Sequence, residues 1–226
     1  GANPAWDLLE NAHIRAAANN IRQHKDISFD MEEKNALSVS QLTSRTLQRG
    51  IWKALNSGTI QSADSSYLIP LYLSQKRLTI NGRNQQETLL NAEGLLTTDQ
   101  MEALLTPMQD IPDFYQNSVT IFGKNFISPL SSNGKRFYHY FLIDSTSTST
   151  GKSYLISFRP KTNGILAFEG SLSLDSARCA LQSISVKLPS VTNVNYLREY
   201  TLHQLFDLNT PVPQILKSTQ RALLDY

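Results

Sequence analysis

From Phe137 to Leu188, apolar and polar residues alternate with a period of two, and turn residues interrupt the pattern at short intervals. Phe137, His139, Phe141 and Ile143 alternate with Tyr138, Tyr140 and Leu142, and Tyr154, Ile156 and Phe158 with Ser153, Ser157 and Arg159. Further on, Phe168, Gly170, Leu172 and Leu174 alternate with Glu169, Ser171 and Ser173, and Ile184, Val186 and Leu188 with Ser183, Ser185 and Lys187. Asn163-Gly164 supplies the positive φ angles that a tight turn needs. A two-residue period with short connections predicts antiparallel strands, each with one face buried. This part of the chain, from near Val119, therefore reads as a β-meander.

The rest of the chain adds to that sheet. Asn3 followed by Pro4 is a helix start, and Ala5, Leu8, Leu9, Ala12, Ala16 and Ala17 recur at three- and four-residue steps, predicting a helix over 4–24. Ile27, Phe29 and Met31 alternate with Ser28, Asp30 and Glu32, so a strand is expected over 27–40. Thr43–Asn56 fits a helical stripe interrupted by Gly50. Residues 67–80 read as a strand broken at Pro70, which places it on an edge or at a bulge. Thr97-Thr98-Asp99 offers a cap for a short helix near Met101. Tyr196–Phe206 reads as a last strand, closed by Pro211 and Pro213, with a C-terminal helix over 213–224. The whole is one α+β domain spanning 1–226. Its sheet, mainly 27–40, 67–80 and 119–206, is a curved antiparallel meander forming an open half-barrel. The N-terminal helix and one or two short helices pack on it.

Composition narrows the function classes. In 226 residues, 40% are hydrophobic and 18% charged, and the net charge is +2. Lys and Arg are scattered, which argues against a nucleic-acid binder. No apolar run approaches the roughly 18–20 residues of a membrane-crossing helix. Cys179 is the lone cysteine, so a cysteine-based zinc site and an intramolecular disulfide are excluded. The chain starts Gly1-Ala2-Asn3-Pro4, as a mature or trimmed protein would, so its start says nothing of compartment.

Candidate chemistry is sparse. Thr146–Ser153 (TSTSTGKS) ends like a phosphate loop but lies between two strands, where the amides cannot converge on an anion. His13, His24, His139 and His203 have no partner at a metal-clamp spacing, and no G-x-S-x-G elbow occurs. Glu32 and Glu33 point to opposite faces of one strand and read as solvated charge rather than as a dyad. No catalytic residue, cofactor or metal ligand is assigned. The aromatic cluster Tyr138, Tyr140, Phe158 and Phe168 falls on neighbouring strands and has two readings: a packed core layer, or the lining of a concave site for an apolar ligand.

Several strings together resemble a known family: Phe114–Leu130 (FYQNSVTIFGKNFISPL), Tyr138–Asp144 (YHYFLID), Tyr154–Lys161 (YLISFRPK), Phe168–Asp175 (FEGSLSLD), Ile69–Ser74 (IPLYLS) and Asn193–Tyr200 (NVNYLREY). The family comprises uncharacterised Gram-negative envelope proteins. In them a carboxypeptidase regulatory-like sandwich precedes a domain of unknown function, and an outer-membrane barrel often follows. The resemblance covers Pro4 to about Phe206 and implies either an excised middle module or a free-standing relative. It also implies a periplasmic location beside the outer membrane, and brings no catalytic residues with it. The expectation is a non-enzymatic interaction or assembly module whose partner is an envelope protein. A carrier or sensor of acyl chains, with an apolar ligand, is the alternative, and an unrecognised hydrolase the second alternative.

Overall fold

The computed structural model describes residues 3–50, 53, 60–61, 67–81, 84–94, 108, 110–192, 194 and 196–225. Helix α1 (Pro4–Ile14) starts as the sequence predicts, with the Asn3 side chain accepting from the Ala5 N–H at 3.0 Å and Pro4 in the first turn. It is shorter than 4–24. The chain breaks at Arg15 into a single turn, α2 (Ala16–Asn19), and then a 3-10 turn at Ile21–Gln23. Two asparagines end α2, because their side chains bond main chain instead of extending a helix. Asn19 donates to the carbonyls of Arg178 (3.0 Å) and Cys179 (3.1 Å), and Asn20 accepts from the Arg22 N–H at 3.0 Å.

The strands are β1 (Ser28–Leu42), β2 (Ile60–Gln61), β3 (Tyr67–Asn81), β4 (Asn84–Gly94), β5 (Ser118–Ile121), β6 (Lys124–Ile127), β7 (Tyr138–Thr148), β8 (Gly151–Pro160), β9 (Glu169–Asp175), β10 (Ala180–Lys187), β11 (Leu197–Asp207) and β12 (Gln214–Asp225). One-turn helices α3 (Ser44–Leu47) and α4 (Gly134–Phe137) interrupt them. Ten strands make one open sheet in the order β2-β3-β1-β12-β11-β10-β9-β8-β7, with β4 beside β2 on the outer side of β3. The run β7 to β11 is the expected antiparallel meander, but β5 and β6, expected to begin it near Val119, form a separate two-stranded sheet, and β12 adds a strand that was expected as a helix. It joins the N-terminal strands through a parallel pair, Glu32↔Lys217 to Ser40↔Asp225, so the sheet is mixed.

Three expectations are corrected or bounded. Residues 213–224 form β12, not a helix. The slot between β1 and β11 demands a partner for both ladders, and Ser218 and Gln220 on the buried face disguised the period of two. Residues 67–80 are not a free edge, because β3 pairs with β1 on one side and with β2 and β4 on the other. Pro70 lies at a bulge between Leu37↔Tyr72 and Ser38↔Pro70, and in the gap between β2 and β4, where its missing N–H breaks no ladder bond. The expected helix near Met101 falls outside the described residues, as does most of 48–56 beyond α3 and Gly50.

One face of the sheet is buried. Helix α1, the hairpin β5–β6 and Phe114 cover it toward β7–β9, forming a cluster with Leu9, Phe126, Tyr138, Phe158, Phe168 and Leu172. A second cluster at the other end holds Ile21, Phe29, Met31, Leu78, Ile111 and Ile215.

Candidate functional site

The aromatic residues meet at the β7–β9 end of the sheet. Tyr138 lies 5.8 Å from Tyr140 and 5.6 Å from Phe158 between ring centres, and Phe126 stacks on Phe168 at 4.9 Å. All four expected ligand-facing side chains are buried. Hairpin β5–β6 closes over them, held by the Ile127 N–H on the Leu166 carbonyl at 2.9 Å. The Tyr138 hydroxyl donates to the Ile127 carbonyl and accepts from the Phe168 N–H at 3.0 Å, while Tyr140 donates to the Pro129 carbonyl at 2.8 Å. Burial pushes both phenols up, out of the physiological range. Each polar atom of the layer thus has its bond, as buried hydroxyls require. Of the four, Tyr140 also lines a cleft of about 290 Å³ between α1 and Pro129–Lys135, with Leu9, His13 and Ile14. A Cβ on Gly134 would run into the Tyr140 hydroxyl, so α4 starts on the one residue type that fits there.

A different kind of buried polarity crosses the sheet between the two apolar clusters. Along β1 from Phe29 to Val39 the buried positions are Phe29, Met31, Glu33, Asn35, Leu37 and Val39, so the apolar series is broken by two polar residues in phase with it. Ser218 and Lys76 flank Glu33 on the neighbouring strands, and Gln220 and Ser74 flank Asn35. Gln204 of β11 continues the stripe beside Ser218. At the β11–β12 end the chain crossing above satisfies it except at Gln204 Oε1. Gln204 donates to the Pro112 carbonyl (2.8 Å) and Gln220 to the Met108 carbonyl (3.3 Å), while Gln220 accepts from the Tyr200 hydroxyl (2.7 Å).

At the β1–β3 end the stripe is not satisfied. Glu33 is 3% exposed and Ser74 1%, yet among the described residues Glu33 Oε1, Asn35 Oδ1 and Ser74 Oγ have no hydrogen-bond partner. Burial raises the Glu33 pKa above the ordinary carboxylate range; an Asn35 hydrogen bond and Lys76 oppose this, and Glu87 adds to it. Each orphaned polar atom costs about 1–3 kcal/mol. The reading of Glu33 as solvated charge is therefore corrected. Glu32 fits it, on the open face with Lys34 at 3.3 Å and Lys217 at 3.2 Å, while Glu33 points inward.

The open face carries two further features. Ser185 Oγ lies 2.6 Å from His203 Nδ1, both half-buried on a flat sheet surface. Among the described residues no carboxylate bonds to His203, so the third member of a Ser-His-acid relay is missing there. At the end of the sheet His139, Arg159, Lys161, Asn163, Glu169 and Thr192 line a cleft of about 370 Å³. The Arg159 guanidinium sits 5.3 Å over the Phe141 ring. Beside this cleft runs the outer edge of β7, which no strand among the described residues pairs, with Phe141, Leu142 and Ile143 exposed.

A family model described as "Family of unknown function (DUF5686)" matches residues 13–223. The chain belongs to that family. The match runs from within α1 to within β12, so the polar stripe, the aromatic layer and the β7 edge all lie inside the family's domain. No curated protein and no solved structure matches the chain.

The stripe and the β7 edge are what sequence reasoning missed. The signal for Glu33 was present, since it shares the period of Phe29 and Met31. The β7 edge had no local signal, because which strand ends a sheet depends on long-range pairing.

Proposed function

We propose that this chain is a non-enzymatic docking module that captures an extended segment of a partner protein along the free edge of β7. The observation that carries the reading is that edge itself. Natural sheets blunt an exposed edge with lysine, proline, a bulge or a cover. Here the cover is the Asn3 side chain, which donates to the Tyr140 carbonyl at 2.7 Å, and a bulge lies between Leu142 and Asp144; Phe141, Leu142 and Ile143 stand exposed. An added strand would gain main-chain bonds there and place alternate side chains on the two faces. Phe141 offers an apolar seat on the open face, and Arg159 and His139 beside it favour a segment that also carries a carboxylate.

The location is part of the proposal: the periplasmic side of a Gram-negative outer membrane, supported by the sequence resemblance described above. A photo-crosslinker at Ile143 on the edge, with one at Ser173 on the open face away from the edge as control, tests the docking in cells. The expected result is a discrete adduct from position 143 alone, mapping to an extended apolar and acidic segment and lost in Arg159→Glu. Equal adducts from both positions, or lipid as the only adduct, would overturn it, the latter in favour of an acyl-chain carrier.

A further inference from the structure

The polar stripe has no part in that docking surface, since it lies on the opposite, buried face of the sheet. We infer that Glu33, Asn35 and Ser74 form an oxygen-lined site for a hard cation, of the Ca²⁺ or Na⁺ class, between β1 and β3.

The geometry brings the three together. Asn35 and Ser74 are directly opposed in the β1–β3 ladder, which sets their Cβ atoms about 4.5–5.5 Å apart. Glu33 is the next residue along β1 on the same face, about 7 Å away by strand rise. Among the described residues Asn35 Oδ1, Glu33 Oε1 and Ser74 Oγ are buried without a hydrogen-bond partner. All three are oxygens: a carboxylate, an amide carbonyl and a hydroxyl. That is the donor set of hard cations, which take carboxylate and neutral oxygens together and complete their shell with water. Among the described residues no three His, Cys, Asp or Glu side chains gather as metal ligands, which argues against a zinc-type site.

The count of acceptors decides between a cation and a water molecule. One water can donate two hydrogens, which leaves the third oxygen without a partner. Lys76 stands opposite Glu33 in the ladder and favours its charged form, while its ammonium also lies 2.9 Å from Glu87 Oε2. A bound cation meets all three oxygens at once.

Thermal unfolding of the full chain tests the site. It is run in choline chloride with chelator, then in Na⁺ or Ca²⁺ at matched ionic strength. The inference expects one of the two cations to raise the Tm of the natural protein by roughly 5–10 °C at a hundredfold excess over its Kd. Glu33→Gln should abolish the rise. Asn35→Asp, which adds a carboxylate, should bring the same rise at lower cation concentration, and it decides the matter if Glu33→Gln does not fold. Equal Tm in all three salts, an undiminished rise in Glu33→Gln, or no gain of affinity in Asn35→Asp would overturn the inference, leaving a water or a proton in the stripe.

Discussion

The sheet buries polar groups at both ends of the same face, and the two ends treat them differently. Under β7–β9 every hydroxyl of the tyrosine layer is bonded to a named main-chain group: Tyr138 to Ile127 and Phe168, Tyr140 to Pro129. Ser128 likewise donates to the Phe114 carbonyl at 2.6 Å and accepts from the Leu130 N–H at 3.2 Å. Between β1 and β3, Glu33, Asn35 and Ser74 are as deeply buried and keep three oxygens without a partner among the described residues. Satisfied polar atoms in a core specify which surfaces meet, while orphaned ones raise the energy of the fold unless something else binds them. The first end is built to be closed. The second is built to hold a guest.

Breaking the aromatic end should give the largest effect. Phe168 is fully buried against Phe126 and, edge-on at 6.0 Å, Phe114, so Phe168→Ala should cost about 3–5 kcal/mol in chemical denaturation. Tyr138→Phe keeps the ring and orphans the Phe168 N–H, with an expected loss of about 1–3 kcal/mol and no change in cation dependence.

Glu33 should behave in the opposite sense. Its folded-state pKa is raised, so the folded protein holds the proton more tightly than the unfolded chain does. Stability in cation-free buffer should therefore be highest below the ordinary glutamate pKa and fall as pH rises through the elevated one. Burial sets most of that window, with Lys76 narrowing it and Glu87 widening it. Glu33→Gln should remove this part of the pH dependence, which unfolding midpoints across pH 4 to about 8 would read out. A variant as pH-dependent as the parent would contradict the assignment of that slope to Glu33. Smallest in stability is the β7 edge: Ile143→Lys should shift unfolding by less than about 0.5 kcal/mol, yet block strand addition in the crosslinking experiment.

How much of this was legible follows from the range of each interaction. The alternation of Tyr138, Tyr140, Phe158 and Phe168 is local and marked the aromatic layer on its neighbouring strands. What it could not carry is the β5–β6 lid, which reaches the layer from a separate hairpin. β12 was misread for the opposite reason: its inward residues Ser218 and Gln220 are polar, so the local pattern hid a strand that the parallel partner β1 demands. The same polar stripe thus concealed both an element of the fold and the candidate cation site. Glu33 was legible by phase alone, as a charge in step with Phe29, Met31 and Leu37.

The most direct test of the contrast is a crystal structure of the protein grown in calcium and, separately, in sodium. The account predicts an ordered ion bonded to Glu33 Oε1, Asn35 Oδ1 and Ser74 Oγ, at about 2.3–2.6 Å if calcium, with the tyrosine layer closed and empty of ligand. Water alone in the stripe under both conditions, or an acyl chain threaded among Tyr138, Tyr140, Phe158 and Phe168, would contradict it.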